Sequence, residues 1–235
     1  AATFVIGLHQ PLIEVTQFDA FVIAATLIAV VLGLGIDSGL SLIASKDMVE
    51  QRHLMLWVAL ACPVCMVLPL LLAARLAYVW IDPILLTWGQ WGLAIILGYF
   101  QANLAIAYSF DRYSGSAIAI SLKILLINAV GFSAGYLLLA QGGDSADFMI
   151  AYVVTTGLGN LWIVPGHLWR HPVPQNLRAQ APAALYKLVG FSIWYVASSV
   201  TLLLRKPVER IVILAVSTPE MLGGYIILSR LAELV

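Results

Sequence analysis

The stretch 202-LLLRKPVERIVILAV-216 places four charged side chains, Arg205, Lys206, Glu209 and Arg210, between two apolar runs. The chain of 235 residues around it is 62% hydrophobic and only 10% charged. Soluble domains average about 45–50% apolar and about 25% charged residues, so this composition predicts an integral membrane protein. The charged stretch is then either a loop between two membrane helices or part of a helix inside the bilayer.

The composition also argues against several kinds of partner and site. A formal net charge of zero gives no sign of a nucleic-acid partner. The two cysteines of CPVC (62–65) lie within an apolar run, where a redox motif would lack its strand-to-helix turn. His167 and His171 have the i, i+4 spacing of a metal-binding pair, but a membrane di-iron enzyme needs several such clusters, and the chain has four histidines. We predict no cofactor, no metal site and no nucleic-acid partner.

Apolar runs of spanning length recur along the chain, separated by short polar breaks. A bilayer core offers no water to backbone groups, so spanning runs of about 20 residues must be helices. The runs cover residues 21–43, 54–79, 84–110, 115–140 and 148–169, and two more begin near residues 184 and 220. The sequence therefore predicts an all-α polytopic membrane protein with about seven transmembrane helices.

The longest polar stretch, RHPVPQNLRAQAP, divides this series of helices. We predict an N-terminal half-bundle at residues 1–169, a cytoplasmic linker at 170–184 and the start of a C-terminal half-bundle at 185–235. The chain has no initiator Met, its first apolar run is too short to span, and a helix pattern still continues at its last residue. We expect a fragment truncated at both ends, with its first helix largely missing.

The distribution of Lys and Arg predicts which loops face the cytoplasm. Basic residues occur in SKDMVEQRH (45–53), in DRYS (111–114) and in the central linker, but not in WIDP (80–83) or QGGDSAD (141–147). Basic and non-basic loops thus alternate, and the basic ones should be cytoplasmic. A loop at RKPVER would break this alternation, whereas a helix that continues to about Val216 would leave STPE, without Lys or Arg, as the outer loop. We therefore predict one long helix through RKPVER, kinked at Pro207.

The charges in that helix need a polar environment. Ionisable groups inside a bilayer cost at least about 2.5–3.5 kcal/mol each on insertion scales, so they usually face a cavity or a partner. On an ideal helix the four charged positions of RKPVER share one sector, and Arg205 and Glu209 can pair at i, i+4. This pattern favours a cationic face inside the protein. The alternative is that Arg205 and Arg210 extend to the outer headgroups.

Two segments resemble a known family. Residues 18–45, FDAFVIAATLIAVVLGLGIDSGLSLIAS, resemble the second helix of the flippases of the MOP (multidrug/oligosaccharidyl-lipid/polysaccharide) superfamily. Residues 205–234, RKPVERIVILAVSTPEMLGGYIILSRLAEL, resemble the start of that family's second half, with its acidic–Arg pair at Glu209-Arg210 and its Gly-Tyr at Gly224-Tyr225. A weak internal repeat, with Phe21-Val22-Ile23 aligned to Tyr225-Ile226-Ile227, fits the two related halves of that family.

The resemblance implies a polysaccharide or O-antigen flippase with an inverted-V bundle of two halves. Such a protein would move undecaprenyl-diphosphate-linked oligosaccharide across the bacterial inner membrane by alternating access, without covalent chemistry, and so would not be an enzyme. Its partners would be this lipid-linked substrate, the bilayer and a coupling ion, H⁺ or Na⁺, which no residue of the chain identifies.

Six residues are the candidate substrate contacts. Arg205, Lys206 and Arg210 would bind the pyrophosphate, and Glu209 would tune or gate them. Lys123 interrupts the apolar helix ISLKILLINAV and would either contact substrate or extend to the cytoplasmic surface. Asp37, in GLGIDSGL, would pair with a basic residue, bind a coupling cation or be solvated at its helix end.

Two alternative functions stay open. A multidrug exporter of the same superfamily would favour acidic residues in its cavity, whereas RKPVER has a surplus of basic ones. An integral membrane enzyme that processes glycans would need a carboxylate or His beside a large loop outside the membrane. The longest loop is about a dozen residues long and has no acidic residue.

Overall fold

The computed structural model describes residues 6–7, 10–33, 54, 56–61, 63–65, 86–114, 117–170, 173 and 175–232. All secondary structure in these residues is helical, apart from turns and bends. The helices are α1 (Leu12–Gly33), α2 (Trp88–Ser114), α3 (Ala117–Ala140), α4 (Ser145–Arg170), α5 (Leu177–Val216) and α6 (Pro219–Ala232). A shorter helical segment lies within residues 54–65. The predicted all-α fold is confirmed for the described part of the chain.

Four of these helices, α1 to α4, contain segments that are long and apolar enough to cross a membrane. Each apolar segment contains at least 21 residues, which at about 1.5 Å per residue spans a hydrocarbon core of about 30 Å. Length and composition thus identify a helical membrane protein. The predicted total of seven spans and the division into two half-bundles stay predictions.

The charged stretch RKPVER lies within α5, which is a single helix of 40 residues. The helix ends at Val216, and Ser217 has an extended backbone with φ −144° and ψ 175°. Only Ser217 and Thr218 separate α5 from α6, whose first residue is Pro219. Proline suits a first helical position, where no intrahelical bond needs its missing N–H. The predicted helix through RKPVER is therefore confirmed.

The same helix begins earlier than its apolar run. α5 starts at Leu177, so residues 177–184, which we expected in the linker, form its first two turns. These residues, LRAQAPAA, are polar in part but contain mostly good helix formers, and a polar helix can extend beyond a membrane surface. The described connection between α4 and α5 is correspondingly short.

Helix α1 lies at the centre of the described bundle. It packs against α2 and α6 and also touches α4 and α5. Its Phe18 and Phe21 are buried, and the Phe18 ring meets the Phe148 ring of α4 edge to face with their centroids 5.3 Å apart. Since lipid tails are as apolar as these side chains, such contacts stabilise the bundle through close packing rather than through exclusion of water.

Neighbouring helices contact each other near both ends of the described bundle. At one end, Gln10 Nε2 donates a hydrogen bond of 2.7 Å to Gly143 O, and Ser145 N donates one of 2.9 Å to Glu14 Oε2. At the other end, the first turns of segment 54–65 pack against Phe110 and against the beginning of α5. The two hydrogen bonds bring the beginnings of α1 and α4 together with the end of α3, and the side of the membrane that each end faces stays a prediction.

The close contact between α1 and α2 predicts that an added side chain at Gly98 lowers the stability of the protein. A Cβ at Gly98 would lie 2.5 Å from Ile28 Cγ2 and 2.8 Å from the backbone oxygen of Ala25. We expect Gly98→Ala to destabilise the protein by about 1–3 kcal/mol, the usual cost of overpacking. The matched control is Gly92→Ala on the same helix, where an added Cβ would meet nothing within 4 Å. Thermal unfolding in detergent should place Gly92→Ala at or above wild type, and equal midpoints for the two variants would contradict the packing.

Candidate functional site

The backbone of RKPVER lies close to one end of α5. At about 1.5 Å per residue, Arg210 lies about 9 Å and Arg205 about 17 Å along the axis from Val216. A bilayer is about 40–45 Å thick with headgroups and about 30 Å without them. If Val216 lies at the outer surface, the stretch therefore extends from just below the headgroups into the outer leaflet.

Four of the predicted substrate contacts lie on α5, and of these the structure describes the side chain of Glu209. It is exposed, and the hydroxyl of Tyr225 on α6 donates a hydrogen bond to its Oε1. The side chains of Arg205, Lys206 and Arg210 lie outside the described part, and their roles stay predictions. The acid and the tyrosine that carried the family resemblance are thus brought together across the turn between α5 and α6.

The Glu209–Tyr225 contact lies beside a tight junction between α6 and α1. One turn of α6 contains both Tyr225 and Gly223, and Gly223 packs directly on the backbone of Leu12. Ile213 of α5 also packs against the apolar cluster that contains Phe18 and Phe21 of α1. The charged part of α5 is therefore linked, through α6, to the beginning of the central helix.

Lys123 occupies a different part of the bundle. Its ammonium lies 5.2 Å from the ring centroid of Trp162 on α4, within range of a cation–π interaction. Trp162 is half exposed, and α3 packs chiefly against α4 and less extensively against α2. The structure does not bring Lys123 together with Glu209. Asp37, the other acidic candidate, lies outside the described residues.

A cavity of about 300 Å³ lies between α2, α3 and α4. On one side of it, the Tyr152 hydroxyl donates a hydrogen bond of 2.8 Å to Asn128 Oδ1, which joins α4 to α3. The lining side chains are Gln101, Leu104, Ala105, Tyr108, Ile124, Asn128, Tyr152 and Thr156. The sequence did not indicate this cavity.

An acid–imidazole pair joins α2 and α4 near the opposite end of the bundle from Glu209. His167 Nε2 lies 2.9 Å from Asp111 Oδ2, and both residues are buried, with 6% and 8% of their surfaces exposed. The other ring nitrogen, Nδ1, lies 3.0 Å from the carbonyl oxygen of Ile163, one turn earlier in α4. The i, i+4 spacing in the sequence pairs His167 instead with His171, which lies outside the described part, and the polar break DRYS assigns Asp111 to a loop.

A signal for this pair is present in the sequence. Asp111 lies in the last turns of one apolar helix and His167 in the last turns of another, and both helices were predicted to end on the same side. Two titratable groups at the same depth can meet if their helices pack together. Helix rotation decides which polar residues at that depth meet. The pattern of apolar residues alone did not determine this rotation.

The chain matches no protein-family model, no curated protein and no solved structure. The family resemblance thus rests on the two segments quoted above, 18–45 and 205–234.

Proposed function

We propose that the protein is a flippase of the oligosaccharide branch of the MOP superfamily, which moves undecaprenyl-diphosphate-linked sugar units across the bacterial inner membrane by alternating access. The observation that carries this proposal is the continuity of α5 through RKPVER. A loop could expose these charges to water at no cost, whereas a helix close to the bilayer must give them a polar environment.

The charge balance of the stretch favours an anionic substrate. RKPVER contains three basic residues and one acidic residue, a surplus of two positive charges. A diphosphate offers several anionic oxygens, and Arg and Lys bind such groups through charge-assisted hydrogen bonds. These bonds are stronger where water is scarce, since the effective dielectric constant is lower there. A pyrophosphate-linked lipid therefore fits this part of α5 better than a cationic drug does.

The contact between Glu209 and Tyr225 supports a gating role for the acid. The Tyr225 hydroxyl holds one carboxylate oxygen of Glu209 towards α6, so the acid tethers α5 to α6 near the charged stretch. Movement of α6 relative to α5 would break this contact and change the field at the neighbouring basic residues. The candidate site thus contains both an anion-binding element and a side chain that responds to helix movement.

Transport can be tested directly with the full protein in liposomes. A fluorescent undecaprenyl-diphosphate oligosaccharide is added to both leaflets, and an impermeant quencher then reports which molecules reach the outer leaflet. We expect quenching to go well beyond the outer-leaflet fraction in proteoliposomes, whereas a fluorescent phosphatidylcholine in the same vesicles stays protected. Equal quenching of the sugar lipid with and without protein would contradict the proposal, and loss of protection for both lipids would indicate unselective scrambling.

A further inference from the structure

The cavity between α2, α3 and α4 lies near the middle of these three helices. Gln101 is the central residue of α2, and the cavity residues Asn128 and Thr156 lie close to the midpoints of α3 and α4. At about 1.5 Å per residue, each of them lies about 16–21 Å from both ends of its helix. Because the three helices are long and apolar enough to cross a hydrocarbon core of about 30 Å, the cavity lies near the middle of the bilayer.

Contacts beside the cavity hold its walls in place. Asn160 Nδ2 on α4 donates a hydrogen bond of 3.0 Å to the carbonyl oxygen of Phe100 on α2. The Tyr152 hydroxyl on α4 donates one of 2.8 Å to Asn128 Oδ1 on α3. A Cβ at Gly131 of α3 would lie 3.2 Å from Tyr152 Cδ2, so these two helices are also closely packed there. Since α2 and α3 are both fixed against α4, a small shift of one helix does not close the cavity.

The polar side chains of the lining present mainly hydrogen-bond donors. The Gln101 amide and the Tyr108 hydroxyl make no hydrogen bond with the described part of the chain. Asn128 Oδ1 already accepts a bond from Tyr152, which leaves the two N–H donors of its Nδ2 group. The Thr156 hydroxyl donates to the carbonyl oxygen of Tyr152. Donors without a partner are costly in an apolar medium, so the cavity suits a ligand that brings acceptor oxygens.

The rest of the lining restricts the ligand to uncharged and largely apolar molecules. No lining side chain is charged, and most of the lining surface is apolar, with Leu104, Ala105 and Ile124 among its residues. Lys123 lies next to Ile124, but its ammonium is over the Trp162 ring, and neither residue lines the cavity. An anion would therefore find no countercharge. A sugar would place many of its hydroxyl groups against apolar walls, whereas an apolar molecule with a few oxygens would fit.

The cavity is open and small. Asn128 is exposed, and Gln101 and Tyr108 are partly exposed. Leu125 and Leu126, which precede Asn128 on α3, are exposed as well, as expected of a helix that faces lipid. At this depth the surroundings of a spanning bundle are lipid, so a ligand arrives through the membrane. A volume of about 300 Å³ is at the lower end for ligand sites and accommodates one small head group.

We propose that this cavity binds an uncharged, membrane-soluble molecule through its carbonyl oxygens, with Gln101, Tyr108 and Asn128 as the hydrogen-bond donors. Two kinds of membrane molecule share this chemistry: lipid quinones, which carry carbonyl groups on a ring, and diacylglycerols, which carry them in esters. The site is separate from RKPVER on α5 and does not depend on the proposed transport of sugar lipids.

Binding can be measured in the full protein in detergent micelles, since a ligand that binds the folded state raises the midpoint of thermal unfolding. The probes are a decylbenzoquinone fully substituted on its ring, dioctanoylglycerol, and the benzene that corresponds to the quinone without its two carbonyl oxygens. We expect a carbonyl probe to raise the midpoint in a saturable way, and the probe that does so identifies the source. No saturable rise with either carbonyl probe, or an equal rise with the benzene, overturns the proposal.

Two substitutions remove donors with little change of shape, Gln101→Met and Tyr108→Phe. Neither side chain bonds to the described protein, so both variants should unfold at or above the wild-type temperature without probe. Each should weaken the binding of the carbonyl probe about 3–10-fold, as expected for the loss of one hydrogen bond. The matched control is Gln180→Met at an exposed position of α5 outside the cavity, which should bind like wild type.

The variants contradict the proposal in either of two results. Unchanged binding in both Gln101→Met and Tyr108→Phe would show that these groups do not contact the probe. A midpoint several degrees below wild type in the absence of probe would show that they support the fold instead, and would overturn their assignment as ligand contacts.

Infrared spectroscopy distinguishes a bound probe from one that is merely dissolved in the micelle. A carbonyl group that accepts hydrogen bonds absorbs at a lower wavenumber than a free one, and ¹³C at the carbonyl carbons of the probe separates its band from those of the protein. We expect a shifted band with the wild-type protein and a weaker one with the double variant Gln101→Met, Tyr108→Phe. A spectrum equal to that of the probe in micelles without protein overturns the proposal.

Discussion

Gly223→Ala is expected to lower the thermal unfolding midpoint more than any other glycine substitution considered for this chain. A Cβ at position 223 would lie 2.2 Å from the backbone oxygen of Leu12 and 2.9 Å from its carbonyl carbon. Both atoms belong to the first residue of α1, the central helix, so they cannot move aside as a flexible side chain can. Helix α6 would have to separate from α1, and we expect a loss of at least about 3 kcal/mol, the upper end of ordinary overpacking.

The neighbouring glycine provides the control. A Cβ at Gly224 would meet nothing within 4 Å, and alanine favours a helix over glycine by about 0.8–1.0 kcal/mol. Gly224→Ala should therefore unfold at or slightly above the wild-type temperature, whereas Gly223→Ala should unfold well below it or fail to accumulate in the membrane. Equal unfolding temperatures for the two variants would contradict the contact between α6 and the beginning of α1.

The second large effect is expected on transport. Arg205→Gln and Lys206→Gln should each lower the rate of sugar-lipid flipping by about 10–100-fold, because a hydrogen bond to a charged group is worth about 1.5–3 kcal/mol. Glutamine keeps much of the length of the side chain and removes its charge. Lys206→Arg, which keeps the charge, should retain more activity than Lys206→Gln. The liposome quenching assay described above measures all three.

Arg178→Gln is the control for these charge changes. Arg178 is an exposed basic residue in the first turn of the same helix, far along its axis from RKPVER. The Arg178→Gln variant should flip the lipid at the wild-type rate, and the unfolding midpoints of all these variants should stay close to that of the wild type. Unchanged transport in Arg205→Gln and Lys206→Gln would remove the basis for a substrate-binding role of RKPVER.

The path of α5 shows how much of this fold can be predicted from residue types. Counting Lys and Arg in the loops predicted that the helix would continue through RKPVER to about Val216, and it ends there. This works because loop charge and helix length are properties of short segments. The start of α5 was placed too late because its first turns, 177–184, are not apolar and hydropathy alone was used to find helices.

Contacts between helices were less predictable. Gly223 and Gly224 are identical in type and adjacent in sequence, yet Gly223 packs on Leu12 and Gly224 faces open space. The pairing of Asp111 with His167 likewise depends on the rotation of two helices that are far apart in the chain. A contact between Glu209 and Tyr225 was not predicted, although both residues had been singled out. Rotation and tilt arise from packing over the whole bundle, so no single segment specifies them.

The proposed function requires that RKPVER lies along the path of a lipid-linked oligosaccharide. Its most direct test is the reaction of single cysteines at positions 205 and 209, in the full protein in intact cells, with a water-soluble thiol reagent added from outside. We predict that both positions react and that lipid-linked oligosaccharide slows the reaction. Rapid labelling from outside that this substrate never changes would show an outer surface unconnected with transport and would contradict a substrate-binding role of RKPVER.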